Sequence, residues 1–170
     1  MRMPMIALFV ALTAGLVGCG GAGIGGSPPH VYSDGNAMVA EALKGISEIS
    51  ADDLRAKLEK EEMFLLIDLR DSEEYWEECI DGAFNIPRGV LEFRIGDKRF
   101  WDDEGMYVPE KDEEIIVYCE NGKAGALAAQ TLMMLGYGNV QSLYGGWVVW
   151  KFGPEALDAV EAEPETGGCG

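Results

Sequence analysis

The residues best placed to do chemistry are Cys119 and the loop that follows it, Glu120-Asn121-Gly122-Lys123-Ala124-Gly125. Ahead of the cysteine runs Ile115-Ile116-Val117-Tyr118, apolar with two β-branched types, which reads as a short buried strand. Behind the loop runs Ala126-Leu127-Ala128-Ala129, a helical segment by composition. A strand-to-helix turn aims successive backbone N–H groups at one point, and the helix N-terminus adds partial positive charge there. A thiol at that point should ionise more easily, and the thiolate is the nucleophile. The other reading is a small hydrophobe closing a strand end, the usual fate of a lone cysteine.

Residues farther out form a longer pattern. Downstream stand Leu135-Gly136-Tyr137, Val140, Leu143 and Gly145-Gly146 with Trp150-Lys151. Upstream stand Leu66-Ile67-Asp68-Leu69-Arg70, Glu74-Tyr75, Ile80-Asp81-Gly82-Ala83 and Asn85-Ile86-Pro87. Taken in order, residues 47–151 resemble the rhodanese (sulfurtransferase) family. The resemblance implies an α/β fold: one rhodanese-like domain, residues 37–157, with a central, mostly parallel sheet flanked by helices on both faces. It implies that Cys119 is the nucleophile and that Glu120 to Ala124 form the loop around it. Asp68 and Arg70 match a charge pair that would brace the loops near the site. Arg70 or Arg88 could instead contact an anionic donor.

Sulfur transfer needs a thiolate that attacks a donor sulfur and then holds it as a persulfide. A cradle of N–H groups from Glu120 to Gly125 would stabilise both anionic states without a metal. Gly122 permits the positive φ such a cradle often needs, and Lys123 can add a positive charge. No cofactor is required, and the single histidine, His30, follows Pro28-Pro29 in a linker and makes no metal site. The expected partners are a small sulfur-containing donor and a thiol acceptor.

The chain departs from the family pattern at three places. Ala124 stands where Arg is common and Gly125 where Ser is common, so a guanidinium able to bind an oxyanion is missing. Glu120 puts a negative charge beside the nucleophile; pointing inward, it would raise the thiol pKa and repel thiosulfate. Glu78-Cys79-Ile80 replaces a Gly-His-Ile segment. Weak thiosulfate activity or a different donor follows. Related phosphatases and arsenate reductases use a loop one residue longer, closed by Arg, so phosphate chemistry is disfavoured. Two rival readings stay open. One is a catalytically weak interaction or sensing module, and the other is a thiol relay in which Cys79 or Cys169 resolves Cys119.

The ends and the charge bound the setting. Residues 3–17 carry no charge after Arg2 and end at Leu16-Val17-Gly18-Cys19, which resembles a bacterial lipobox. Residues 1–18 then read as a lipoprotein signal peptide, with lipid on Cys19 holding the domain at a cell-envelope membrane, outside the cytoplasm. Residues 19–36 read as a Gly/Pro-rich tether and 158–170 as an acidic, Gly-rich tail. A net charge of −17 argues against nucleic acid as a partner.

Among the elements, residues 37–43, 54–60 and 123–135 read as helices, the second behind a capping box at Ser50. Residues 64–68, 83–86, 115–118 and 140–143 read as strands, and residues 101–111 as an acidic surface loop.

Overall fold

The computed structural model of the chain describes residues 30–162. The calls on the signal peptide, Cys19, Cys169 and most of the tether and tail lie outside those residues. Elements alternate along the domain: α1 (Gly35–Ala42), β1 (Ser47–Ile49), α2 (Ala51–Glu59), β2 (Leu65–Asp68), α3 (Ser72–Glu77) and β3 (Phe84–Asn85). A 3-10 turn (Arg88–Val90) leads to α4 (Leu91–Arg94) and α5 (Lys98–Asp103). Then come β4 (Glu114–Tyr118), α6 (Lys123–Met134), β5 (Asn139–Leu143), α7 (Gly146–Phe152) and α8 (Glu155–Ala162).

The five strands form one parallel sheet in the order β1-β5-β4-β2-β3. Helices cover both faces, which is why the inner strands are continuous apolar runs rather than alternating ones. Leu65, Ile67, Val117 and Val140 point to one face, where α6 contributes Ala128, Ala129 and Leu132, and α4 and α5 contribute Leu91 and Trp101. Leu66, Ile116, Tyr118 and Leu143 point to the other, against Ala51 and Leu54 of α2 and Trp147 and Val149 of α7. After β2 the chain moves toward β3, and after β4 it moves toward β5. The carboxyl ends of β2 and β4 therefore flank a topological switch point, where ligands bind in such sheets.

The local expectations hold with three differences. Strand β1 is found on the edge beside β5, where three residues are too short for a period to register. Residues 101–103 belong to α5 rather than to a surface loop. Trp101 is fully buried, its indole N–H donates to Ile95 O at 2.9 Å, and Phe84 and Phe100 meet it edge-on. The acidic residues around it face water and masked a core aromatic. At α2, Ser50 Oγ accepts from Asp53 N at 3.1 Å, but the Asp53 carboxylate takes the Ser50 hydroxyl rather than closing a capping box. Glu74 makes the reciprocal bond at α3, accepting from Asp71 N at 3.1 Å.

Candidate active site

Cys119 follows β4 directly and is 5% exposed. Its Sγ accepts a hydrogen bond from Gly125 N at 3.2 Å. The N–H groups of Asn121, Gly122 and Ala124 also act on it. Lys123 N instead donates to Asn121 Oδ1 at 3.2 Å, so the cradle is made by four of the loop's N–H groups. Burial pushes the Cys119 thiol up, and these N–H groups pull it back only in part. The expected easier ionisation is thus overturned for the resting thiol: desolvation outweighs the dipoles.

The loop holds this shape because its carbonyls are captured from outside. Trp147 N donates to Cys119 O at 2.8 Å and Val148 N to Glu120 O at 3.0 Å. The start of α7 therefore turns the carbonyls outward and leaves the N–H groups facing the sulfur. The approach requires glycine on both sides. Gly122 has φ 84°, and a Cβ on it would lie 2.9 Å from Gly145 N. Gly146 has φ 58°, and a Cβ on it would lie 2.1 Å from Cys119 O. The sequence signal for this approach is the glycine pair Gly145-Gly146 directly before an apolar helix.

Beside the loop lies a charged network. Asp68 is fully buried, and its Oδ1 accepts from Arg70 N and Nε at 2.9 and 3.1 Å while Oδ2 accepts from Nη2 at 2.7 Å. Arg70 Nη2 also donates to Glu78 O at 2.8 Å, and the guanidinium stacks on Trp147, 4.3 Å from the ring centre. Its Nη1 faces Glu120 Oε2 at 3.9 Å. Glu120 therefore turns toward Arg70 rather than toward the sulfur. Burial pushes its carboxyl up, Arg70 and Lys151 pull it down, and Glu74 and Asp68 add to the rise.

Comparison with known proteins settles the family. The rhodanese-like domain profile matches residues 50–152. The chain belongs to the rhodanese-like domain family. A sulfurtransferase of Allochromatium vinosum is 30% identical over 105 residues, covering 62% of this chain and 88% of that protein. A putative mitochondrial thiosulfate sulfurtransferase of Schizosaccharomyces pombe is 31% identical over 89 residues, 51% of this chain. The match spans 63% of the length of the yeast protein. The human single-domain sulfurtransferase structure aligns with a TM-score of 0.57 at 28% identity, covering 71% of this chain and all of that one. A Rhodopseudomonas palustris protein described as a possible tyrosine phosphatase aligns with a TM-score of 0.59 at 28% identity, covering 74% of this chain and 94% of that one.

Within this rhodanese-like site the remaining sequence candidates separate. Glu120 to Gly125 and Arg70 with Asp68 gather at the ends of β4 and β2. Ala124 packs against the core below the loop. Lys123 opens α6 on the far side, beside a shallow groove with Val39, Leu43 and Tyr144. Arg88 is not brought to the loop. Its guanidinium bonds Glu92 at 2.6 Å and Thr131 Oγ1 at 3.3 Å. Thr131 lies eight residues beyond Lys123, roughly 12 Å along the helix. Arg88 is therefore a brace between α4 and α6. Cys79 is not brought to Cys119 either. The next residue, Ile80, donates its N–H to Tyr118 Oη at 3.2 Å and packs on the α7 face of the sheet. Cys119 packs on the α6 face. Among the described residues no cluster of His, Cys, Asp or Glu could hold a metal ion.

Proposed function

We propose that this protein moves sulfane sulfur through a persulfide on Cys119. The observation that carries the reading is the cysteine sulfur at the focus of an N–H cradle, with Gly125 N at 3.2 Å, in a chain whose relatives are named sulfurtransferases. The thiolate attacks the outer sulfur of a donor, the bond within the donor breaks, and the donor leaves as sulfite or as a thiol. Cys119 then carries one added sulfur, which a thiophilic acceptor removes. No electrons enter or leave from outside.

The charges beside the loop argue for a donor other than thiosulfate. Arg70 and Lys151 share a cavity of about 230 Å³ with Glu74, Glu77, Glu78 and Glu120. Both cations are already paired there, Arg70 with Asp68 and Lys151 with Glu78. A neutral or thiol-borne persulfide meets less repulsion than a dianion. Phosphate chemistry is disfavoured because Ala124 and the short loop leave no guanidinium over the sulfur. We place the domain outside the cytoplasm, anchored by lipid on Cys19, on the strength of the lipobox-like sequence. The second reading, an interaction or sensing module, draws on the 5% exposure of Cys119 and on burial pushing its thiol up.

The test is intact mass without reductant after incubation with thiosulfate or with a small thiol persulfide, beside the Cys119→Ser variant. One added sulfur on the wild type only, released as thiocyanate by cyanide, supports transfer. No adduct from either donor favours the module.

A further inference from the structure

Ser142 is fully buried and polar in an otherwise apolar setting, and its Oγ has no hydrogen-bond partner among the described residues. Leaving a buried hydroxyl unpaired is costly, so such groups invite explanation. Ser142 lies in β5, paired with Val117 of β4, and its side chain shares the α6 face with Val117, Val140 and Cys119. It points at Gly125. A Cβ built on Gly125 would stand 2.6 Å from Ser142 Oγ and 3.9 Å from Cys119 Sγ. The hydroxyl thus occupies the space that any side chain at 125 would need, next to the residue whose N–H already donates to the sulfur.

We propose that Ser142 is a positioning residue whose hydroxyl donates a hydrogen bond to the Cys119 sulfur when that sulfur becomes anionic. In the resting state Sγ takes the Gly125 N–H and not the hydroxyl; a thiolate or persulfide, a much stronger acceptor, would draw the hydroxyl onto it. Gly125, where the family commonly carries Ser, lets the hydroxyl in from the neighbouring strand. The cradle of N–H groups is thereby completed from beneath by one side-chain donor. The role in turnover rests on the sulfurtransferase reading above, whereas the role in ionisation does not.

The deciding measurement is the pH profile of Cys119 alkylation in the full chain with Cys19, Cys79 and Cys169 replaced by Ser, comparing Ser142 with Ser142→Ala. Loss of a hydrogen bond to a charged acceptor should lower the neutral-pH rate about tenfold and move the profile up by about one pH unit. Thermal stability should hold or rise, because the alanine removes an unpaired hydroxyl. The double variant Gly125→Ser with Ser142→Ala returns a hydroxyl from the helix side and should move the profile back. Superimposable profiles for wild type and Ser142→Ala would overturn the proposal. So would a clear loss of stability, which would reveal a structural partner, or a double variant as slow as the single one. Alkylation needs no sulfur donor, so a protein that forms no persulfide at all would sink the sulfurtransferase reading and leave this result standing.

Discussion

Tyr118 and Cys119 are neighbours in sequence, yet they serve two differently built regions. Tyr118 points to the face where Asp68, Arg70 and Trp147 form a dense network of charge and stacking. Cys119 points to the face of α6, where its polar contacts are backbone N–H groups and the rest is apolar core. Full charges brace the scaffold, and partial charges serve the nucleophile. Dipoles fixed by secondary structure need no reorganisation when the sulfur becomes anionic, whereas a buried guanidinium must be matched by a carboxylate at all times.

The sharpest way to break this contrast is Asp68→Asn. It leaves the Arg70 guanidinium, in a residue only 6% exposed, without its counter-charge. The expected loss is about 3–5 kcal/mol, read as a shifted urea midpoint. Whatever fraction remains folded should keep the Cys119 alkylation profile; a profile moved as far as the midpoint would mean the two regions are one.

Gly146→Ala attacks the place where both regions meet. The new Cβ would lie 2.1 Å from Cys119 O at a φ of 58°. Left-handed strain of about 1–2 kcal/mol and overpacking of about 1–3 kcal/mol should add. Here stability and alkylation should change together, because the start of α7 shapes the cradle and also carries Trp147. An alanine variant as stable and as reactive as the parent would remove the idea that this turn sets the loop.

The pH dependence tests the apolar side alone. Burial raises the Cys119 thiol, so the thiolate fraction should climb about tenfold per pH unit through neutrality and not level off near the ordinary value of about 8.5. The sign for stability follows. The folded state holds this proton more tightly than the unfolded chain, so this contribution is complete below the unfolded value. It is lost as pH rises toward the folded one. A plateau near or below neutrality would reverse the ranking of dipoles against desolvation.

Glu120→Gln probes the rim between the two regions. Glu120 is half exposed, so an exposed charge pair of under about 1 kcal/mol sets the scale. The KM for thiosulfate should fall two- to fivefold by about that amount, more at low salt, with a smaller change for a singly charged persulfide donor. An equal change for both donors would assign Glu120 to packing rather than to donor choice.

The cysteine loop and the strands around it were legible because buried parallel strands are unbroken apolar runs and because Gly122 marks a left-handed turn. That the α7 start captures the loop carbonyls was hidden because backbone N–H groups carry no residue signature. Ser142 was hidden because a serine in a strand says nothing of which face it takes until Val117 is set beside it. The mistaken expectation for the thiol came from counting dipoles without the burial that a sheet covered on both faces imposes.

Arg70 and Arg88 show the same limit and yield the smallest predicted effect. Both follow short strands, and both were candidates for holding an anionic donor. Arg70 is locked by the carboxylate of Asp68 two residues before it, beside the loop. Arg88 finds Glu92 one helical turn ahead and Thr131 on α6, away from it. A part-buried i,i+4 pair of this kind contributes about 0.3–0.5 kcal/mol, so Arg88→Ala should shift the urea midpoint slightly. Its persulfide yield and donor preference should match the parent. A loss of thiosulfate use in that variant would return Arg88 to the site and would mean that α4 and α6 rearrange when a donor arrives.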